Sequence, residues 1–293
     1  MNPGQWTAGG GHFDTVAASY AMRRPVFATE VIEDIAEIIG LGPGATILEI
    51  GAGTGQATVG LAALDVNVVA VEPGPVLADL LTRRVAAFPN VTVVTSRFED
   101  WDVDDRPFDA VVAASSWHWL EPALRWSKTH ALLKPGGWLA LLGHVVVRDA
   151  GEPEVYAETA DLHRMYASGH PGWGDPPTAQ EVIAAAEAVS ASIGDVERVI
   201  GRAPDTSDTA DLFERPVLRW YPQVQHFDAH GYAEHLRTTS LYGSLTADVR
   251  EPLLSAIERR IRVRMGDHAT RRYIVSARIA QRKPQIPAQW SAR

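Results

Sequence analysis

Cysteine is absent from the 293-residue chain, and with it go disulfides, thiolate metal centres and thiol nucleophiles. Positive charge is scarce as well. A formal net charge of -9 leaves no basic face able to neutralise a polyphosphate, so no nucleic-acid partner is expected. The cluster Arg259, Arg260, Arg262 and Arg264, interspersed with Ile257, Ile261 and Val263, reads as the solvated face of a helix. No apolar run reaches membrane-spanning length, and Met1 to Gly11 is polar and glycine-rich where a leader would be basic and then apolar. A cytoplasmic protein with no membrane partner is expected. Three lysines stand against 24 arginines, a bias that points to a GC-rich bacterial genome and to specialised metabolism.

What is present reads as an alternating α/β chain. Val31, Ile35, Ile38 and Ile39 fall on one helical face over 26–39, and Gly40, Gly42, Pro43 and Gly44 end it. Ile47, Leu48 and Ile50 form a short apolar run, the pattern of a strand buried on both faces. Further strands are expected at Val66–Val71, Val91–Val94, Phe108–Ala114 and Trp138–Val147, with helices through Val59, Leu61 and Leu64, over Val76–Ala87 and over Pro122–Leu133. Lys134, Pro135, Gly136 and Gly137 read as a tight turn before the last of these strands. Strands alternating with helices imply a mostly parallel sheet, here seven-stranded and Rossmann-like, with helices on both faces.

After Arg148 the pattern changes. Residues 149–215 read as a helical lid or substrate insertion, with helices at Tyr156–Met165 and Ala179–Val189. Residues 216–282 complete the sheet with a strand at Val217–Phe227, helices at Ala229–Leu241 and Ala247–Arg264, and a strand at Arg272–Ala280. Residues 283–293 read as a mobile tail. Residues 1–148 would hold the ligand-binding core.

The loop Glu49, Ile50, Gly51, Ala52, Gly53, Thr54, Gly55 lies between a buried strand and a helix, where the backbone turns sharply and approaches a ligand without Cβ obstruction. Glu72 ends the next strand, where a carboxylate accepts hydrogen bonds from the hydroxyls of a nucleoside ribose. Taken alone, this suits either a dinucleotide or S-adenosylmethionine. Gln56 stands where a dinucleotide fingerprint requires glycine, which disfavours a nicotinamide-dependent oxidoreductase. Glu49 suits the ammonium of a methionine moiety.

These residues resemble the cofactor loop of class I S-adenosylmethionine-dependent methyltransferases, over roughly residues 13 to 147. The resemblance implies S-adenosylmethionine as cofactor, held by Glu49, Gly51, Ala52, Gly53, Gly55, Glu72 and Pro73. It implies further that the segment Ser96, Arg97, Phe98, Glu99, Asp100 contacts adenine, the Phe98 amide included, and that Ser115 at the end of the fourth strand holds the methionine ammonium. The segment Phe13, Asp14, Ala18, Tyr20, Arg24, Pro25 resembles the first helix of a small-molecule branch that includes trans-aconitate methyltransferases, with Tyr20 closing over the sulfonium.

Ligands of open α/β sheets bind beyond the carboxyl ends of the strands, which selects the Trp117, His118, Trp119 segment and the region around His144. His118 and His144 are the candidate bases or orienting groups, and Trp117, Trp119, Tyr166 and Trp173 the candidate lining of an acceptor pocket. Methyl transfer is an in-line displacement in which positioning dominates, so the activity expected is methylation of O, N or C on a small metabolite. A non-catalytic binder of the same cofactor is the other reading of this fold. The run Glu99, Asp100, Asp102, Asp104, Asp105 reads as a solvated turn, and no metal is expected. Aromatics on the insertion offer a homodimer contact.

Overall fold

The computed structural model describes residues 25–102, 107–149, 155–168, 176–201 and 209–284. Its first helix, α1 (Thr29–Ile39), buries Val31, Ile32, Ile35, Ala36 and Ile39. Gly40 stops it in the left-handed region, at φ 72, its amide returning to the carbonyls of Ala36 and Glu37. That is the cap a Cβ-free residue supplies at least cost. There follow β1 (Thr46–Ile50), α2 (Thr58–Ala62), β2 (Asn67–Glu72), α3 (Pro75–Arg84), β3 (Val91–Thr95), β4 (Phe108–Ala114), α4 (Pro122–Leu132) and β5 (Leu133–Val147). The remainder is α5 (Val155–Tyr166), α6 (Ala179–Ala188), α7 (Ile193–Ile200), β6 (Val217–Phe227), α8 (Ala229–Arg237), α9 (Ser240–Gly243), α10 (Ala247–Arg264) and β7 (Ala269–Gln281).

The strands form one seven-stranded sheet in the order β3-β2-β1-β4-β5-β7-β6. The pairs β1 with β2, β1 with β4, β2 with β3 and β4 with β5 are all parallel. In β1 four of five residues are buried, because a central parallel strand is covered on both faces. The chain reverses its order at β1, between β2 and β4, and ligands of such sheets bind at that switch point.

The chain separates into two compact units whose limits include points inside β5, α6, β6 and β7. One contains Phe27–Gly143, Ala184–Trp220 and the stretch from Ser276. Its core gathers Leu48, Ile50, Val71, Phe98, Val111, Trp117, Trp126, Leu139 and Phe213. The other contains Val26, His144–Ile183 and Tyr221–Val275, around a core of Tyr156, Leu162, Tyr232, Leu236, Tyr242, Leu253, Ile257 and Ile261. Among the described residues no helix is long and apolar enough to cross a membrane.

Several local expectations are corrected. The helix after Gly55 is short, ending at Ala62 rather than running through Leu64. The tight turn predicted at Lys134–Gly137, with Gly136 at φ 76, lies within β5 rather than before it, since β4 pairs Phe108 with Leu133 and then Ala110 with Trp138. The stretch predicted as one helix over Ala229–Leu241 is two, α8 and α9. A helix not anticipated, α7, is capped by Ser192, whose hydroxyl accepts from the Asp195 amide. Lys283, expected to begin a loose tail, donates its backbone amide to Leu212 O at 2.9 Å and its ammonium to Ala210 O at 2.7 Å.

Candidate functional site

Between β1 and α2 the backbone turns through three glycines with positive φ, Gly51 at 66, Gly53 at 59 and Gly55 at 88, a region costly for residues that carry a Cβ. Two of them are also crowded. A Cβ on Gly51 would lie 2.5 Å from the Ser116 Cβ, and one on Gly55 would lie 2.8 Å from Leu81 Cδ1. The amides of Gly51 and Ala52 both donate to Val71 O, at 2.8 and 3.1 Å, tying the loop to the end of β2.

Glu72 closes this arrangement from β2. Its carboxylate accepts the Gly53 amide on Oε2 at 2.8 Å and the Gly74 amide on Oε1 at 2.9 Å, and the residue is buried. The acid thereby organises the glycine loop as well as standing where a ribose acceptor is needed. Pro73, beside it, is exposed.

Glu49 is 1% exposed, and its Oε2 has no hydrogen-bond partner among the described residues. Burial pushes its carboxyl up to about 8, and the neighbouring Glu72 charge adds to the rise. The Thr58 hydroxyl counters part of this effect, although it falls short of hydrogen-bond geometry. A buried acceptor of this kind lacks a donor, and a cationic amine is the donor that would relieve both its desolvation and its repulsion from Glu72.

The carboxyl end of β4 completes the near wall. Ser115 holds a left-handed φ of 60 and donates its amide to Leu142 O at 2.8 Å, while the Ser116 hydroxyl donates to Ile50 O in a short hydrogen bond. An αL serine is uncommon and strained, a condition that clusters at functional turns. Trp117 is placed in the core, 3% exposed, edge-on to Trp126 at 4.7 Å and with the Arg125 guanidinium 5.7 Å from its ring. The expectation of a pocket-lining Trp117 is corrected to that of a packed anchor. His118 and Trp119 are half-buried with ring centroids 4.9 Å apart, and they are the surface this segment presents.

Phe98, 2% exposed, lies under the Lys128 ammonium, 5.1 Å from its ring. Lys128 also reaches the carbonyls of the Phe98 loop, a contact the sequence reading missed.

His144 and Tyr166 belong to the other unit. The Gln223 amide donates to Val26 O at 3.1 Å, so its oxygen faces His144 and accepts from Nε2 at 3.0 Å. His144, 8% exposed and edge-on to Tyr273 at 5.7 Å, is thus a buried, hydrogen-bonded histidine. Tyr166 is half-buried against the core of α5, α8 and α10. Tyr20, Trp173 and the segment Phe13 to Arg24 lie outside the described residues. Asp104 and Asp105 do too, and among the described residues no group of acidic or histidine side chains is arranged to hold a metal.

Residues 47–137, which contain the loop, Glu72 and the β4 turn, match a family described as "Methyltransferase domain". An uncharacterized methyltransferase of Mycobacterium tuberculosis (strain ATCC 25618 / H37Rv) is 32% identical over 157 residues, which is 48% of this chain and 60% of the relative. One from Synechocystis sp. is 34% identical over 109 residues, 36% of this chain and 50% of its own. The chain thus spans between half and two thirds of the length of these relatives. A solved structure from Anaeromyxobacter dehalogenans, described as a candidate type II methyltransferase, has the same fold at a TM-score of 0.53 and 20% identity, covering 88% of this chain and 96% of that one.

Proposed function

From a chain whose residues 47–137 are those of a methyltransferase domain, we propose an enzyme that transfers a methyl group from S-adenosylmethionine to a small organic molecule. The observation that carries this reading is the buried Glu49 with its partnerless Oε2, beside a Glu72 carboxylate already set by the Gly53 and Gly74 amides. One acid suits an ammonium and the other a pair of ribose hydroxyls. The turn at Gly51, where a Cβ would lie 2.5 Å from that of Ser116, holds the loop backbone against the end of β4.

When bound, the cofactor supplies an electrophilic methyl group on a sulfonium. The residues of this chain bind and orient. Glu49 takes up the cationic end and gives up its own proton in doing so. Ser115, through the turn that its αL conformation imposes, presents backbone carbonyl at the same end. The Phe98 segment faces adenine, and Glu72 faces the ribose. His118 and Trp119, at the carboxyl end of β4, orient the acceptor, with His118 receiving a proton if the acceptor's nucleophilic atom must lose one. Holding that atom in line contributes about 7–11 kcal/mol to lowering the barrier, so the reaction needs no strong base. The acceptor is a small metabolite methylated on O, N or C.

Calorimetry with S-adenosylhomocysteine tests the reading, followed by mass spectrometry of a metabolite extract incubated with protein and S-adenosylmethionine. Binding and a product heavier by one CH2 are expected. Absence of binding would overturn the proposal, and tight binding without any methylated product would turn it into a non-catalytic binder.

A further inference from the structure

We propose that Lys128 is a positioning residue that sets the base preference of the cofactor site, by gathering three carbonyls of the Phe98–Trp101 loop onto one ammonium. The inference rests on the cofactor reading above. Lys128 Nζ donates to Phe98 O at 2.6 Å, Glu99 O at 3.0 Å and Trp101 O at 2.8 Å. An ammonium has three N–H donors and no acceptor, so all its donors are committed to this one loop. The same loop is tied to the start of α4 a second time, where the Glu121 amide donates to Glu99 Oε1 at 2.8 Å. The Trp101 amide, donating to Arg97 O at 3.0 Å, closes the turn between.

The consequence for binding follows from peptide geometry. Every described peptide bond is trans, so each carbonyl and the amide that follows it point in opposite directions. Turning the carbonyls of Phe98, Glu99 and Trp101 toward α4 therefore turns the amides of Glu99, Asp100 and Asp102 away from it. Lys128 thus fixes a face of backbone donors on the loop assigned to adenine, at a place where the Arg97 side chain is engaged with Glu99 at 3.5 Å and Asp100 at 3.8 Å. A base is then read by backbone rather than by a side chain. Adenine offers acceptor nitrogens to such donors, whereas hypoxanthine presents an N–H in place of one of them. Arginine is a poor substitute, because its donors lie in one plane as a fork and cannot converge on three carbonyls as an ammonium does.

The test compares S-adenosylhomocysteine with S-inosylhomocysteine by calorimetry on the full chain and on Lys128→Gln and Lys128→Arg, with thermal melting of each variant recorded alongside. The wild type is expected to prefer the adenine ligand by about tenfold or more, the worth of one well-placed hydrogen bond. Both variants should lose most of that preference, the arginine variant while retaining charge and bulk. If either variant stays folded and keeps the wild-type preference, with only its melting temperature lowered, Lys128 is merely structural and the proposal is overturned. If the wild type binds neither ligand, the cofactor reading itself fails, an outcome separate from a retained preference, and this inference falls with it.

Discussion

Replacing Glu49 by glutamine exchanges a buried carboxyl for a neutral amide of nearly the same shape, and the effect on stability follows from one titration. In the folded chain burial holds the group at about 8, against an ordinary 4.5. Below pH 4.5 it is protonated in folded and unfolded states alike, and its contribution is complete. Between 4.5 and 8 the folded state holds a proton the unfolded state has released, so stability falls as pH rises, by at most about 1.4 kcal/mol per pH unit. Integrated to pH 8, the loss is at most about 5 kcal/mol. Glu49→Gln removes this slope and leaves the slopes of all other groups. Urea unfolding of both proteins at intervals from pH 5 to 8.5 should therefore show the variant gaining on the wild type as pH rises. Cofactor binding should show the reverse linkage, because an ammonium against Glu49 favours the ionised form. The wild type should release a proton on binding S-adenosylhomocysteine near pH 7, seen by calorimetry in two buffers of different ionisation enthalpy, and the variant should release less. Parallel unfolding curves, or equal proton release, would refute the assignment of a neutral buried Glu49.

Three further outcomes follow from the geometry. Gly51→Ala puts a Cβ 2.5 Å from that of Ser116 at a positive φ, so thermal melting should register about 1–3 kcal/mol of destabilisation, together with loss of cofactor affinity. An unchanged melting temperature would mean that the turn is not crowded. Arg278 Nη2 stands 2.6 Å from Glu197 Oε1 with both side chains 6% exposed; Arg278→Met should cost about 3–5 kcal/mol by stranding the acid, and adding Glu197→Leu should restore much of it. Denaturant titration of the single and double variants decides this, equal stabilities counting against a buried pair. His118→Gln should lower turnover about a hundredfold if the acceptor must be deprotonated, with S-adenosylhomocysteine affinity unchanged; a fall in affinity would place His118 against the cofactor instead.

The parts of this molecule legible in the sequence are those fixed by local periodicity and turn chemistry. The bounds of β4, β6 and α10 agree with the pattern reading residue for residue. The short α2 was over-read because Leu64 continues an apolar spacing that the chain abandons after Ala62. At Lys134–Gly137 turn residues announced a break, but tertiary pairing resumed across it and left the turn within β5. Glu49, Glu72 and the glycines were visible through spacing, whereas what Glu72 does to Gly53 across 19 residues and what Lys128 does to Phe98 across 30 residues were not. Such contacts depend on which strand lies beside which, information that no window along the chain contains.

The close approach of Gly51 to Ser116 has a bearing on how this site can change over generations or in the laboratory. Two residues 65 positions apart in the chain share one small volume, and the serine side chain that fills it also tethers Ile50 through its carbonyl. Neither position varies independently. A side chain added at one has to be matched by atoms removed at the other, and removing the hydroxyl frees the strand end that it holds. Random libraries at either position alone should return mostly the parental residue, while paired libraries should find solutions in which the small residue has changed sides, most readily with asparagine at 51, which tolerates the left-handed turn.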